Sequence, residues 1–133
     1  MSDALFIGAH PDDVEILAGG TVARMAAAGK KVVVADATEG EMGSRGTVEE
    51  RREEAAAAAK TLGVQRTNLL LNDGRISEDL PKAIEAVVRV LREYRPKLVF
   101  THESGDHHPD HNAVSRAVKY ACFQSNVLKY ETG

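Results

Sequence analysis

Short apolar runs alternate along the chain with longer segments in which apolar residues recur every three or four positions. The short runs have the length and β-branched character of buried strands, and the longer segments have the period of amphipathic helices. The pattern predicts strands at residues 4–8, 31–37, 67–71 and 97–102. It predicts helices at residues 16–28, 48–62, 78 or 79–94 and 110–124. We therefore expect an α/β fold in which crossover helices cover a mainly parallel sheet.

Local sequence preferences mark the first connection of this predicted fold. Pro11 disfavours a helical conformation at His10 but suits the first position of a helix, which places a strand-to-helix turn here. Gly19 and Gly20 follow within the predicted first helix, where glycine is costly. We expect these two glycines to permit close packing of the helix on a strand, or to leave room for a ligand.

Composition limits the classes of protein that the chain can belong to. With 133 residues, 43% hydrophobic and 28% charged, it has the size and balance of one globular domain spanning residues 1–133. A net charge of −3 gives no electrostatic reason to expect nucleic acid. The one cysteine, Cys122, lies in the apolar pattern of the last helix and is predicted to be buried. No basic start precedes a long apolar stretch, so we predict a cytoplasmic protein without a membrane partner.

All five histidines follow two of the predicted strands. His10 comes after the first strand, and the other four lie between positions 102 and 111, after the fourth. The carboxyl ends of parallel strands lie along one edge of a sheet, where ligands bind in open α/β folds. His10 and Asp13 are three residues apart, and His108 and His111 repeat this spacing, which can bring two side chains to one side. We therefore expect the two loops to meet in one site.

The residue types in these loops indicate a metal site for hydrolysis. A catalytic zinc ion typically has three nitrogen or oxygen ligands and an open position for water. His10, Asp13 and one of His108 or His111 would supply three ligands, and the same donors also suit Fe²⁺. The spacing alone leaves open which of Asp12 and Asp13, and which of the two later histidines, contacts the metal.

Four motifs of the chain resemble those of a known family. They are Ala-His-Pro-Asp-Asp-Val-Glu at 9–15, Gly-Gly-Thr at 19–21, Arg-Arg-Glu-Glu at 51–54 leading to Leu-Gly-Val at 62–64, and His-Pro-Asp-His at 108–111. The family is that of the LmbE-like or PIG-L-like zinc N-deacetylases, which remove acetyl groups from N-acetylglucosaminyl compounds. Segments 39–47 and 68–74 are most similar to the bacillithiol-pathway members. The resemblance implies a Rossmann-like three-layer sandwich and an N-acetylated amino-sugar conjugate as the substrate.

The resemblance also implies a role for individual residues. Zn²⁺ would be held by His10, Asp13 and His111. Asp12, adjacent to the metal ligands, would act as the general base that takes a proton from water. Glu15 is expected either to accept a hydrogen bond from His10 or to favour the helix start with its negative charge.

The remaining expected roles concern the oxyanion and the substrate. His108 would stabilise the oxyanion of the tetrahedral intermediate and would be oriented by Asp110. Arg51 is implied to reach the substrate sugar, and Arg45, in the glycine-rich loop 39–47, is a candidate to bind a substrate carboxylate. Three further residues have no assigned role from the sequence: His102, His107 and Asp73.

Family members continue beyond the position of Gly133 into a segment that completes the fold and part of the pocket, so we expect the N-terminal portion of the family fold. The family often assembles, which predicts a homo-oligomer. Two other functions remain open. A metal-binding but inactive half-domain would bind zinc without turnover. A nucleotide-binding α/β module would be stabilised by nucleotide, although the Gly-x-Gly-x-x-Gly fingerprint is missing after the first strand.

Overall fold

The computed structural model describes residues 1–132, and in this range four parallel strands alternate with four α-helices. The strands are β1 (Ala4–Gly8), β2 (Val32–Asp36), β3 (Gln65–Asn68) and β4 (Leu98–Phe100). The helices are α1 (Asp13–Ala27), α2 (Val48–Leu62), α3 (Leu80–Tyr94) and α4 (Pro109–Gln124), with a short 3₁₀ turn at Ile76–Asp79. None of the helices within the described residues has the length and apolar character needed to cross a membrane.

The strands lie in the order β3-β2-β1-β4, so β1 is flanked on both sides. Ala4 pairs with Val32 of β2 on one side and with Leu98 of β4 on the other. Since β1 and β4 are parallel neighbours, their carboxyl ends lie side by side. The two histidine-containing loops therefore emerge at the same edge of the sheet, as the sequence predicted.

Alternate residues of the central strand pack against opposite helix layers, because successive side chains of a strand point to opposite faces. Leu5 and Ile7 belong to a core cluster that includes apolar residues of α3 and α4. Phe6 belongs to a second cluster with Val14 and Val22 of α1. The sheet is thus covered on both faces, which confirms the Rossmann-like three-layer sandwich with a parallel sheet.

Two element boundaries differ from the sequence prediction by more than two residues. Helix α1 begins at Asp13 rather than at residue 16, which places Asp13 in the first helical turn. Strand β3 covers Gln65–Asn68 rather than residues 67–71. Leu70 has a positive φ of 55°, which an extended strand cannot accommodate, although Leu71 still donates a backbone hydrogen bond to Ala37 at 2.9 Å.

Two interpretations of small residues are wrong. A Cβ atom added to Gly19 or Gly20 would meet no atom within 4 Å outside the local helix backbone, so neither glycine permits a close approach. Cys122 is exposed rather than buried. Its neighbours Ala121 and Val118 turn toward the core, and the helical period leaves Cys122 on the solvent side.

Candidate metal centre

Three side chains from the two loops meet at the ends of β1 and β4. Asp13 Oδ2 lies 3.2 Å from His10 Nδ1 and 3.2 Å from His111 Nε2. Bonds of about 2.0–2.1 Å to a tetrahedral zinc ion place neighbouring donor atoms about 3.3 Å apart. Both observed distances fit that requirement. The structure therefore places Asp13 beside both His10 and His111. Mutually close donor atoms also group His10 with His108 and His111, and Asp13 with His102 and His111, so the expected ligand set stays a prediction.

The outer nitrogens of the two histidines contact carboxylates. His10 Nε2 lies 2.8 Å from Asp110 Oδ2 and 3.0 Å from Asp73 Oδ1. His111 Nδ1 lies 2.9 Å from Asp106 Oδ2. A carboxylate partner favours a proton on the nitrogen that faces it and leaves the other nitrogen free to bind a metal. The free nitrogens, His10 Nδ1 and His111 Nε2, are the two that face Asp13.

Without a metal, a proton on His10 balances these carboxylates. Burial alone would lower the pKa of His10, but hydrogen bonds with Asp13 and Asp110 raise it to about 9. Burial would likewise raise the pKa of Asp13, but its hydrogen bonds with His10 hold that pKa well below the ordinary value. The surrounding groups therefore favour a positive charge at this position, which a divalent cation also supplies.

His108 and Asp110 lie at the start of α4. His108 is the N-cap of α4, and its Nδ1 accepts a hydrogen bond from the Asp110 backbone N–H at 3.1 Å. The proton of a neutral His108 must therefore be on Nε2. Asp110 thus contacts His108 through its backbone, whereas its carboxylate oxygen Oδ2 accepts hydrogen bonds from His10 and from the Gly74 N–H, each at 2.8 Å. The expected role of Asp110 in orienting His108 stays a prediction. The buried Asp110 side chain reaches across to the β1 loop and orients His10.

A cleft of about 390 Å³ borders this cluster at His10 and His108. Asp12 and Arg51 also line it, so both are placed where a substrate can be reached. Burial and the neighbouring Asp13 carboxylate raise the pKa of Asp12, while the positive charge of Arg51 opposes the shift. A carboxylate with a raised pKa is a stronger base, which suits proton transfer at this position.

The glycine-rich loop between β2 and α2 is shaped around Arg51. Gly40 has a φ of +66°, and a Cβ at this position would collide with Arg51 Nη1. A Cβ at Gly43 would lie 3.0 Å from Arg51 Nη2. Arg45, in the same loop, is exposed and is not among the residues that line the cleft. Its role in substrate binding therefore stays a prediction.

Asp73 links this loop to the histidine cluster. Its Oδ2 accepts a hydrogen bond from the Met42 N–H at 2.8 Å, and its own N–H donates to Glu41 Oε2 at 3.0 Å. Its Oδ1 is the atom 3.0 Å from His10 Nε2. The sequence assigned no role to Asp73, and its contact with His10 could not be read from the local pattern of an aspartate before a glycine.

The sequence reasoning missed a buried ion-pair network beside the cluster. Arg66 of β3 donates two hydrogen bonds to Asp36 at the end of β2, at 2.7 and 2.9 Å, and it pairs with Glu15 of α1. Asp36 is 2% exposed. Glu15 therefore pairs with Arg66 rather than serving as a partner of His10. A charged residue ending an apolar strand was the available signal for this network.

His107 and His102 have different surroundings. The His107 side chain is fully exposed, and its nearest carboxylate contact is 3.7 Å from Asp106. The His102 side chain is 3% exposed and its ring stacks on that of His111. The structure thus places four histidines in the cluster and leaves His107 outside it.

A parallel α/β sheet with a histidine and aspartate cluster at its strand ends agrees with the family relationship found by comparison. The family model described as PIG-L, GlcNAc-PI de-N-acetylase, matches residues 5–122. The chain belongs to this family of deacetylases.

Three similar proteins illustrate the relationship. An uncharacterized deacetylase of Escherichia coli (strain K12), YaiS, is 36% identical over 96% of this chain and 72% of its own length. A 1D-myo-inositol 2-acetamido-2-deoxy-alpha-D-glucopyranoside deacetylase of Kineococcus radiotolerans is 34% identical over 85% of this chain and 42% of its own. The crystal structure of the conserved protein TT1542 from Thermus thermophilus is 42% identical, with a TM-score of 0.91 over 97% of this chain. The chain spans 59% of that protein.

Proposed function

We propose that this chain is a zinc-dependent hydrolase that removes the acetyl group from an N-acetylglucosaminyl conjugate. The observation that carries the proposal is the position of Asp13 Oδ2, 3.2 Å from one nitrogen of each of His10 and His111. Family membership and the named activity of the Kineococcus relative support an amide of an amino sugar as the substrate. Fe²⁺ is the alternative metal, because the same donors suit it.

Each group in the proposed mechanism has a defined task. His10, Asp13 and His111 would hold the zinc ion, which when bound would supply a Lewis acid to polarise the acetyl carbonyl and lower the pKa of water toward neutrality. Asp12 accepts a proton from the water as its oxygen attacks the carbonyl carbon. When the carbon–nitrogen bond breaks, Asp12 returns this proton to the leaving nitrogen. The products are acetate and the free amine.

His108 is the proposed donor to the oxyanion of the tetrahedral intermediate. Its Nδ1 accepts the Asp110 N–H, so its Nε2–H is available in the cleft. In acyl-transfer enzymes, removal of one donor to the oxyanion lowers kcat by about 10²–10³-fold. Asp110 contributes indirectly, by orienting His10.

The group attached to the sugar has two candidates, malate and inositol. The resemblance to bacillithiol-pathway enzymes favours malate, whereas the Kineococcus relative acts on an inositol conjugate. Arg51 would contact the sugar in both cases. Arg45 would matter only for malate, which offers a carboxylate. The activities of wild type and Arg45→Ala on the malate conjugate and on the inositol conjugate therefore distinguish the two candidate substrates.

Metal content and turnover of matched variants test the proposal. We expect about one zinc per chain in wild type and almost none in Asp13→Ala or His111→Ala, because each loses a ligand. Asp12→Ala should keep zinc and lose deacetylation, while His107→Ala, outside the cluster, should keep both. Zinc in each variant is measured by mass spectrometry and acetate release by a coupled assay. Loss of zinc in Asp12→Ala with retention in Asp13→Ala would contradict the assignment.

Zinc binding without acetate release is the outcome that favours an inactive metal-binding domain. The chain spans 42% of the Kineococcus deacetylase and 59% of TT1542. A homo-oligomeric state and a cytoplasmic location stay predictions. Light scattering on the purified protein and cell fractionation check them.

A further inference from the structure

His102 is the buried side chain that contacts both loops of the candidate metal centre. The Ala9 N–H, one residue before His10, donates a hydrogen bond to His102 Nε2 at 2.9 Å. The His102 ring also stacks on the His111 ring, with centroids 3.9 Å apart and planes 7° from parallel. One imidazole thus connects the backbone of the first loop with a side chain of the second.

Beyond the last backbone pair of β1 and β4, side chains form the hydrogen bonds to β1. The register of β1 and β4 stops at the pair Phe6 and Phe100. Beyond it, the Thr101 hydroxyl donates to the Ile7 carbonyl at 3.1 Å, and His102 accepts the next amide, that of Ala9. The backbone of β4 is therefore free to turn away into the histidine loop while the end of β1 stays held.

The Ala9 peptide is also held from the opposite side. Its carbonyl accepts hydrogen bonds from the Thr38 N–H at 3.0 Å and from the Thr38 hydroxyl at 2.9 Å. The backbone of Ala9, the residue before His10, is therefore fixed by His102 on one flank of β1 and by Thr38 on the other. This arrangement leaves His10 little freedom of backbone position.

The hydrogen bond from Ala9 defines the chemical state of His102. A backbone amide can only donate, so Nε2 must be unprotonated, and a neutral ring then carries its proton on Nδ1. The lone pair of Nε2 is used by Ala9 and is not available to a metal. The 3.5 Å between His102 Nε2 and Asp13 Oδ2 is therefore a contact within the cluster and not a sign of ligation.

We propose that His102 is a positioning residue of the metal centre and not one of its ligands. It fixes the backbone before His10 through Nε2 and supports the His111 ring by stacking, so that both rings face Asp13. The inference rests on the proposed metal site and adds a residue that the motif comparison does not assign. Residues that orient metal ligands typically contribute about 10–100-fold to metal affinity.

Two substitutions separate the two contacts of His102. His102→Gln places an amide oxygen near the position of Nε2 and keeps an acceptor for Ala9, but it removes the stacking ring. His102→Phe keeps a ring against His111 but leaves the buried Ala9 N–H without an acceptor. Circular dichroism and thermal melting identify the folded variants. The zinc dissociation constant is then measured by competition with a chromophoric chelator.

We expect both folded variants to bind about one zinc per chain, with affinity about 10–100-fold weaker than wild type. Loss of stoichiometric zinc in His102→Gln, as in His111→Ala, would show that His102 is a ligand and overturn the proposal. A wild-type dissociation constant in both variants would overturn it as well, because His102 would then serve core packing alone.

Nitrogen-15 NMR of the wild-type protein supplies a test that needs no variant to fold. In metal-free protein His102 should show a protonated Nδ1 and an unprotonated Nε2, and zinc should leave this pattern in place. A zinc-induced shift at His102 Nε2 as large as that at His111 Nε2 would overturn the proposal. Absence of zinc binding by wild type would overturn the proposed function itself, whereas the metal-free spectrum still reports whether Ala9 is bonded to His102.

Discussion

Arg51 reaches the cleft because two residues beside its guanidinium group have no side chain. Gly40 and Gly43 leave the space that Nη1 and Nη2 occupy. Gly40 also has a positive φ, which glycine adopts without strain. The composition of the loop thus follows from the path of one arginine, and the arrangement gives Arg51 a defined position before any substrate binds.

Replacement of Arg51 tests whether that position serves substrate binding. We expect Arg51→Ala to lower kcat/KM by about 10–100-fold, because a hydrogen bond to a charged group contributes about 1.5–3 kcal/mol. Zinc content should be unchanged. Arg52→Ala is the matched control, since Arg52 is exposed and pairs with Glu39. Equal losses in the two variants, or loss of zinc in Arg51→Ala, would argue against a substrate contact.

For individual residues, the sequence predicted which side chains cluster but not which of their atoms contact one another. Spacing and position after predicted strands selected His10 and left open the choice within two pairs, Asp12 or Asp13 and His108 or His111. The family resemblance then implied Asp13 and His111. The partner of His111 Nδ1, Asp106, was not predicted, nor was the contact of Asp110 with His10. The second of these contacts joins residues 100 positions apart, and its geometry depends on how β4 pairs with β1. Local periodicity carries no information about such a contact.

Helix α1 contains two glycines that its packing does not require. Gly19 and Gly20 lie within the helix, and added Cβ atoms would meet open space. Glycine in a helix interior costs roughly 0.5–1 kcal/mol relative to alanine, because it loses more backbone freedom on folding. Stability of this chain alone therefore does not account for these two residues.

Alanine at Gly20 is expected to stabilise the protein. Gly20→Ala should raise the free energy of unfolding by about 0.5–1 kcal/mol, as measured by urea denaturation. Gly63→Ala is the control, because Gly63 ends α2 with a φ of +72° that alanine adopts only with strain. We expect Gly63→Ala to lower the stability. A loss of stability in Gly20→Ala would mean that something packs against this face of α1.

The elements themselves were mostly predicted correctly from periodicity and caps. Helix α2 begins at Val48, as predicted, and Thr47 and Glu50 form a capping box at its start. The bounds of β3 were wrong, because its leucines follow the strand rather than form it. Gln65–Asn68 is a polar edge strand whose pairing with β2 is made by backbone atoms, and an apolar pattern does not reveal such a strand.

Arg66 joins three elements of the molecule at one point. Its guanidinium group, on β3, pairs with Asp36 of β2 and Glu15 of α1. Burial raises the pKa of Asp36 to about 6, although Arg66 opposes the shift. Because this value lies above the ordinary 3.8, the folded protein holds more protons than the unfolded chain between these pH values. The contribution of Asp36 to stability therefore falls as pH rises from about 4 to about 6.

Removal of Arg66 should destabilise the whole fold in a pH-dependent way. Arg66→Leu leaves Asp36 and Glu15 without their partner, which costs about 3–5 kcal/mol when the carboxylates are charged. Without Arg66 the pKa of Asp36 rises further, so the loss should be smaller at pH 5 than at pH 7.5. Urea denaturation in the presence of a chelator measures both values. Arg75→Leu, which breaks an exposed pair with Glu78, should cost little at either pH.

The order in which a ribosome releases the chain gives the strand arrangement a further consequence. β1 and β2 can pair early, but His102, His108 and His111 lie in or after the loop that follows β4, which emerges after the other three strands. Until β4 has emerged, a nascent chain contains only His10 of the five histidines. The histidine cluster can therefore form only late, after β4 has paired with β1. It is a consequence of this pairing and does not guide it.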